Sequence, residues 1–78
     1  MNIGSKVLVK GSYFSHIYKG EIIGEGVDNS RPIWVVLVQF PKLDIELKPI
    51  QSSFFKDTLE SISNQFTIDQ FYIEEEND

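Results

Sequence analysis

The sequence predicts a mostly β domain of about five strands, with one helix inserted before the last strand. Three observations carry this. The run Ile33-Trp34-Val35-Val36-Leu37-Val38-Gln39-Phe40 is rich in β-branched and aromatic residues and is bounded by prolines. Split by the two-residue period of a strand, Trp34, Val36, Val38 and Phe40 form one face. Ile33, Val35, Leu37 and Gln39 form the other. Both faces are apolar, so this strand is expected to be covered on both sides. Residues 43–48 alternate, with Leu43, Ile45 and Leu47 on one face and Asp44, Glu46 and Lys48 on the other. The period then changes: Phe55, Leu59, Ile62 and Phe66 fall at i, i+4, i+7 and i+11, one stripe of a helix.

In chain order, Lys6-Val7-Leu8-Val9-Lys10 reads as the first strand, with Val7 and Val9 inward, and Gly11-Ser12 breaks it. An aromatic-dense loop follows, Tyr13-Phe14-Ser15-His16-Ile17. Residues 18–24 read as the second strand, where Gly20 signals a bulge or a close backbone approach. Residues 24–32, rich in Gly, Asn, Asp and Pro, read as a loop. The central run is the third strand, Pro41-Lys42 a tight connection, and residues 43–48 the fourth strand, ended by Pro49. Ser52 or Ser53 is placed to cap the helix, Asp57 suits its N-terminal dipole and Asn64 its end. Residues 66–70 read as a short turn and Phe71-Tyr72-Ile73 as a brief last strand. Residues 1–73 thus form one domain and residues 74–78 an acidic flexible tail. The helix stripe is expected to cover the Ile33/Val35/Leu37 face.

Composition narrows the function. There is no cysteine, hence no disulfide framework and no thiolate metal site, which fits a cytoplasmic protein. No apolar run is long enough for a membrane span or a secretion signal. Of the net charge of −5, residues 1–50 carry +1 (six Lys/Arg, five Asp/Glu). Residues 51–78 carry −6, Lys56 against seven acids. That balance argues against direct nucleic-acid binding, which needs a basic stripe.

Several stretches resemble the small SH3-like barrels. Gly4-Ser5-Lys6-Val7-Leu8-Val9 is similar to their opening strand, and Lys19-Gly20-Glu21-Ile22-Ile23-Gly24 to their second. The run from Trp34 to Phe40 resembles the central one, and Phe66-Thr67-Ile68-Asp69-Gln70-Phe71 the single helical turn before the last. The small barrel protein of photosystem I, the ferredoxin–thioredoxin reductase variable chain and KOW modules share this pattern. The resemblance implies a small SH3-like β-barrel and covers most of the chain; residues 51–65 depart from it by their length. It implies no single function, because these barrels host many. Asn29-Ser30-Arg31-Pro32 before an apolar strand is also similar to the corresponding segment of MazF-type toxin ribonucleases. The usual Ser/Thr after that strand is missing here.

No catalytic constellation stands out. His16 is the one histidine, no serine lies in Gly-x-Ser-x-Gly, and Gly20-x-x-x-Gly24-x-Gly26 lacks the Lys-Ser/Thr of a phosphate loop. Asp69 with Glu74, Glu75 and Glu76 lacks a calcium-loop turn. The expectation is therefore no cofactor, no metal and no enzyme. The aromatic loop is the better lead, since such residues anchor interfaces. In SH3-like barrels, the resemblance adds, this loop walls a ligand groove. The expected function is a small protein-binding adaptor or regulatory module, a monomer or weak homodimer, docking a basic protein partner. Tyr13, Phe14, His16, Tyr18, Asp69, Tyr72, Glu74, Glu75 and Glu76 are its expected contacts. The competing expectation is a phage-type inhibitor whose carboxylates imitate nucleic-acid phosphates.

Overall fold

In a computed structural model of the chain, residues 1–13, 17–39, 48–66 and 68–76 are described. They form one antiparallel sheet of five strands: β1 (Lys6–Gly11), β2 (Ile17–Asp28), β3 (Arg31–Gln39), β4 (Ile50–Phe55) and β5 (Phe71–Glu75). The order across the sheet is β4-β3-β2-β1-β5. The protein is mostly β, as the alternation patterns predict, and the predicted apolar run is a strand, β3, which pairs with β2 on one side and β4 on the other.

The inward face of β1 carries Val7 and Val9, and that of β3 carries Val36 and Val38. With Ile22, Phe54 and Ile73 they make the buried core. Trp34 is half-buried and packs against this cluster. On the opposite face of β3, Val35 and Leu37 are half-buried and Ile33 is buried beside Phe55, its partner across the ladder. Gly20 marks a close approach: a Cβ there would lie 2.8 Å from Val36 Cγ1. The bulge falls slightly later, between Ile22 and Gly24.

Three predicted elements are corrected. The predicted loop at residues 24–32 is instead a long hairpin. β2 runs on to Asp28, and only Asn29 and Ser30 turn the chain, with φ of 46° and 65°. Two consecutive positive φ values give the turn hand that matches strand twist. Gly24 and Gly26 pair with Val35 and Ile33, so ladder pairing with an apolar partner outweighs their loop preference.

The inserted helix is absent. Residues 50–55, which include its predicted caps Ser52 and Ser53, form β4 and pair with Ile33 to Val38. The physical reason is backbone supply. The outer ladder edge of β3 must be hydrogen-bonded, and β4 provides the partners. Phe54 is buried at 1% exposure while Phe55 is half-buried, so the inward residue is the one the helical stripe omits. Leu59 adopts a left-handed φ of 65°, which no helix continues through. Only a 3-10 turn at Asn64–Phe66 remains, just before β5. Of the predicted fourth strand, residues 43–47 lie outside the described residues, as do Phe40 and the Pro41-Lys42 connection; Lys48 and Pro49 are exposed and not in a strand.

The third correction concerns the expected tail. β5 continues two residues past Ile73: Glu74 pairs with Leu8 and Glu75 with Val7. Glu76 N–H donates to Lys6 O at 3.0 Å. Asn77 and Asp78 lie outside the described residues.

The sheet is not closed, since β4 and β5 do not pair with each other. Residues 59–62 run between them as a clasp. On the β4 side, Phe55 N–H donates to Glu60 O at 2.9 Å and Ile62 N–H to Ser53 O at 3.1 Å. On the β5 side, Ser61 N–H donates to Phe71 O and Ile73 N–H to Leu59 O, both at 2.9 Å.

Candidate functional site

β1 ends, β2 begins, β3 ends, and β4 and β5 begin at one end of the sheet. An open cavity of about 210 Å³ lies there, walled by Val9, Tyr18, Val38, Ile50, Phe54 and Phe71. The apolar walls follow from strand alternation: Val9, Val38 and Phe71 share a face with the core residues Val7, Val36 and Ile73 two positions away, and Tyr18 and Ile50 lie opposite Val9 and Val38 across the ladder. Ser52, Ser61 and Ser63 line its polar side. Ser63 N–H donates to Ser61 Oγ at 3.2 Å, and the two hydroxyls are 2.8 Å apart. Ile50 is 51% exposed at this site.

Tyr13 leaves the same end of the sheet and is 73% exposed. Its backbone N–H donates to Asp69 Oδ1 at 2.7 Å, while Ser12 N–H and Oγ–H both donate to Gln70 O at 3.1 Å. The base of the aromatic loop is thereby fastened to the segment preceding β5. Asn64 fastens that segment in turn: its Oδ1 accepts from Phe71 N–H at 2.8 Å and its Nδ2 donates to Phe71 O at 3.0 Å. Asp69, expected as a surface contact, is 4% exposed and serves as an internal anchor.

The structure thus separates the sequence-predicted site residues. Tyr18 is half-buried in the cavity wall and Tyr13 stands at the same end. Phe14 and His16 lie outside the described residues. Tyr72 is half-buried on the other face of β5, opposite Lys10.

The acidic residues have partners within the chain. Lys10 Nζ lies 2.6 Å from Glu74 Oε2, the Met1 amino group 3.4 Å from Glu75 Oε2, and Lys19 Nζ 3.5 Å from Glu76 Oε1. The hydrogen bond to Glu74 raises the Lys10 pKa above its ordinary value. Lys6 pairs with Glu21 across β1 and β2. Towards the far end of the β2–β3 hairpin, two further pairs involve aromatic rings. Lys56 Nζ is 2.9 Å from Glu25 Oε2 and 4.0 Å from the centre of the Trp34 ring. The Arg31 guanidinium is 2.8 Å from Asp57 Oδ1 and 3.6 Å from the centre of the Phe55 ring. It holds the Asp57 carboxyl below its ordinary range. Among the described residues, Asp28 and Glu60 have no ion-pair partner, and no group of three or more His, Cys, Asp or Glu is placed to hold a metal. No helix among them is long and apolar enough to cross a membrane.

Sequence reasoning missed Phe54, Phe71, Ser61 and Glu60. The signal for Phe54 was present in the alternation Ser52, Phe54, but the longer helical period absorbed Phe55 instead. Comparison with protein-family models, with curated proteins and with solved structures finds no match.

Proposed function

We propose that this chain is a small, non-enzymatic, cytoplasmic protein-binding module. One observation carries the proposal: the open apolar cavity built from strand residues at the end of the sheet where Tyr13 is exposed. Its volume is below the roughly 300–1,000 Å³ of typical small-molecule and cofactor sites. It suits one apolar side chain of a partner, with the serine hydroxyls available to that partner's backbone. Tyr13 and Tyr18 supply the aromatic contact area expected of a docking surface. The order β4-β3-β2-β1-β5 and the 3-10 turn before β5 support reading the fold as an SH3-like barrel, with the 59–62 clasp at its seam. The pairing of Glu74, Glu75 and Glu76 with amines weighs against the phosphate-mimic alternative, which requires free carboxylates.

The test is selection of random displayed peptides on the wild-type chain, with Ile50→Asp as the contrast. Ile50 is half exposed, so the charge at the cavity mouth leaves the melt nearly unchanged. Binding of selected peptides is expected to be lost. Retention of binding in this variant, or absence of any selected peptide, refutes the reading.

A further inference from the structure

On the outer side of the clasp lies a second, polar groove of about 380 Å³. Phe71 belongs to both its wall and that of the apolar cavity, so the two sites are immediate neighbours. Glu60 and Tyr72 line it and face each other across an antiparallel bridge. Directly opposed residues of this kind hold their Cβ atoms about 4.5–5.5 Å apart on one face. Asn64, Gln70, Ser12 and Thr58 complete the lining, and no basic residue is among them. Lys10 is the cross-strand neighbour of Tyr72 on its other side, but its ammonium is held 2.6 Å from Glu74.

The chain uses one arrangement twice elsewhere. Lys56 lies against both the Glu25 carboxylate and the Trp34 ring, and Arg31 against both the Asp57 carboxylate and the Phe55 ring. Glu60 and Tyr72 are a third carboxylate and ring; Lys10 lies near Tyr72 on its other side, but it pairs with Glu74, and among the described residues no cation pairs with Glu60. The groove therefore brings together the two kinds of group that attract a cation in the other two sets, a carboxylate and an aromatic side chain.

We propose that this groove captures a lysine or arginine side chain of the protein partner while the neighbouring cavity takes an apolar one. The inference rests on the proposed function and specifies its partner: a segment with a basic residue close to an apolar residue. It moves the acidic contact from residues 74–76, already neutralised, to Glu60.

The test is backbone amide NMR of the isotopically labelled chain titrated with N-acetyl-arginine amide and with its uncharged isostere N-acetyl-citrulline amide. Arginine is expected to shift the amides of Glu60, Asn64, Gln70 and Tyr72, and citrulline to leave them in place. Glu60→Gln is expected to weaken the arginine response about three- to fivefold, the upper part of the range for exposed ion pairs. Because Glu60 is exposed, its melt stays at the wild-type value. Equal responses to arginine and citrulline, no response to either, or indifference to Glu60→Gln overturns the proposal. The displayed-peptide selection separates this failure from that of the function. Peptides that need the cavity but show no basic residue overturn the groove alone, and the absence of any binding peptide overturns both.

Discussion

Adding one methyl group to Gly11 tests the anchoring of the aromatic loop. Gly11 closes β1 opposite Phe71 and is buried. A Cβ at this position would lie 2.7 Å from Asp69 Cγ and 3.0 Å from its Oδ1, and would overlap Oδ2. The carboxylate must therefore move, and it is the group that accepts the Tyr13 N–H at 2.7 Å. Two effects compete. Glycine to alanine inside a strand, where space permits, stabilises by about 0.5–1 kcal/mol. Overpacking a filled site costs about 1–3 kcal/mol, and disturbing the hydrogen bond to the buried Asp69 carboxyl group adds about 0.5–1.5 kcal/mol. The clash dominates, leaving a net loss of about 1–3 kcal/mol. In a domain this small that lowers Tm by roughly 5–20 °C. The assay is thermal unfolding followed by circular dichroism. The sign is diagnostic, because an open site would make Gly11→Ala melt higher than the parent. A double-mutant cycle isolates the cause. In an Asp69→Ala background the obstructing atoms are gone, and Gly11→Ala is expected to be neutral or mildly stabilising. A Gly11→Ala melt at or above wild type, or the same loss in both backgrounds, refutes the anchoring.

Phe54→Ala is expected to cost about 3–5 kcal/mol in denaturant unfolding, and Phe55→Ala clearly less; the reverse order would restore the helical stripe. At Leu59, where φ is 65°, Leu59→Gly is expected to be more stable than Leu59→Ala by about 1 kcal/mol, since both lose the side chain and only glycine relieves the backbone. Truncation after Ile73 removes the ladder pairs of Glu74 and Glu75, so cooperative unfolding is expected to shift to markedly lower temperature; an unchanged melt would make them dispensable. Asp57 has a folded pKa below its ordinary 3.8, so its contribution is present above that value and disappears as pH falls through the lowered one. Arg31→Gln is expected to flatten that acid limb, seen as a wild-type-to-variant gap in Tm that closes below about pH 3.8.

The parts of the fold legible in the sequence are those where one residue's neighbours along the chain decide its environment. Val7 and Val9, two residues apart between Lys6 and Lys10, share one face and lie in the core; the run from Ile33 to Val38 has no polar interruption and is strand β3. What was not legible depended on distant pairing. Gly24 and Gly26 are strand residues only because β3 lies opposite them. Phe55, Leu59, Ile62 and Phe66 have helical spacing, yet the open ladder of β3 recruits the first of them into β4 and the left-handed Leu59 breaks the rest. The candidate site divides the same way. Tyr13 and Tyr18 were legible as an aromatic loop, whereas the cavity that Tyr18 lines needs Phe54 and Phe71 from the C-terminal part of the chain.

A charge count along the chain does not show which carboxylates the fold pairs. The C-terminal segment holds most of the negative charge, so a count along the chain points there for a basic partner. Antiparallel order places β5 beside β1, and the Lys10 ammonium comes to lie against Glu74; Lys19 and the amino terminus reach Glu76 and Glu75. A carboxylate already paired offers an incoming cation little, because the new contact must displace the old one. For the proposed partner, the carboxylate to look for is one the topology leaves without a cation and beside an aromatic residue. Glu60 occupies that position because the clasp inserts it opposite Tyr72, on the side away from Lys10. The same four backbone hydrogen bonds that tie the open sheet together therefore also fix where the remaining charge is displayed.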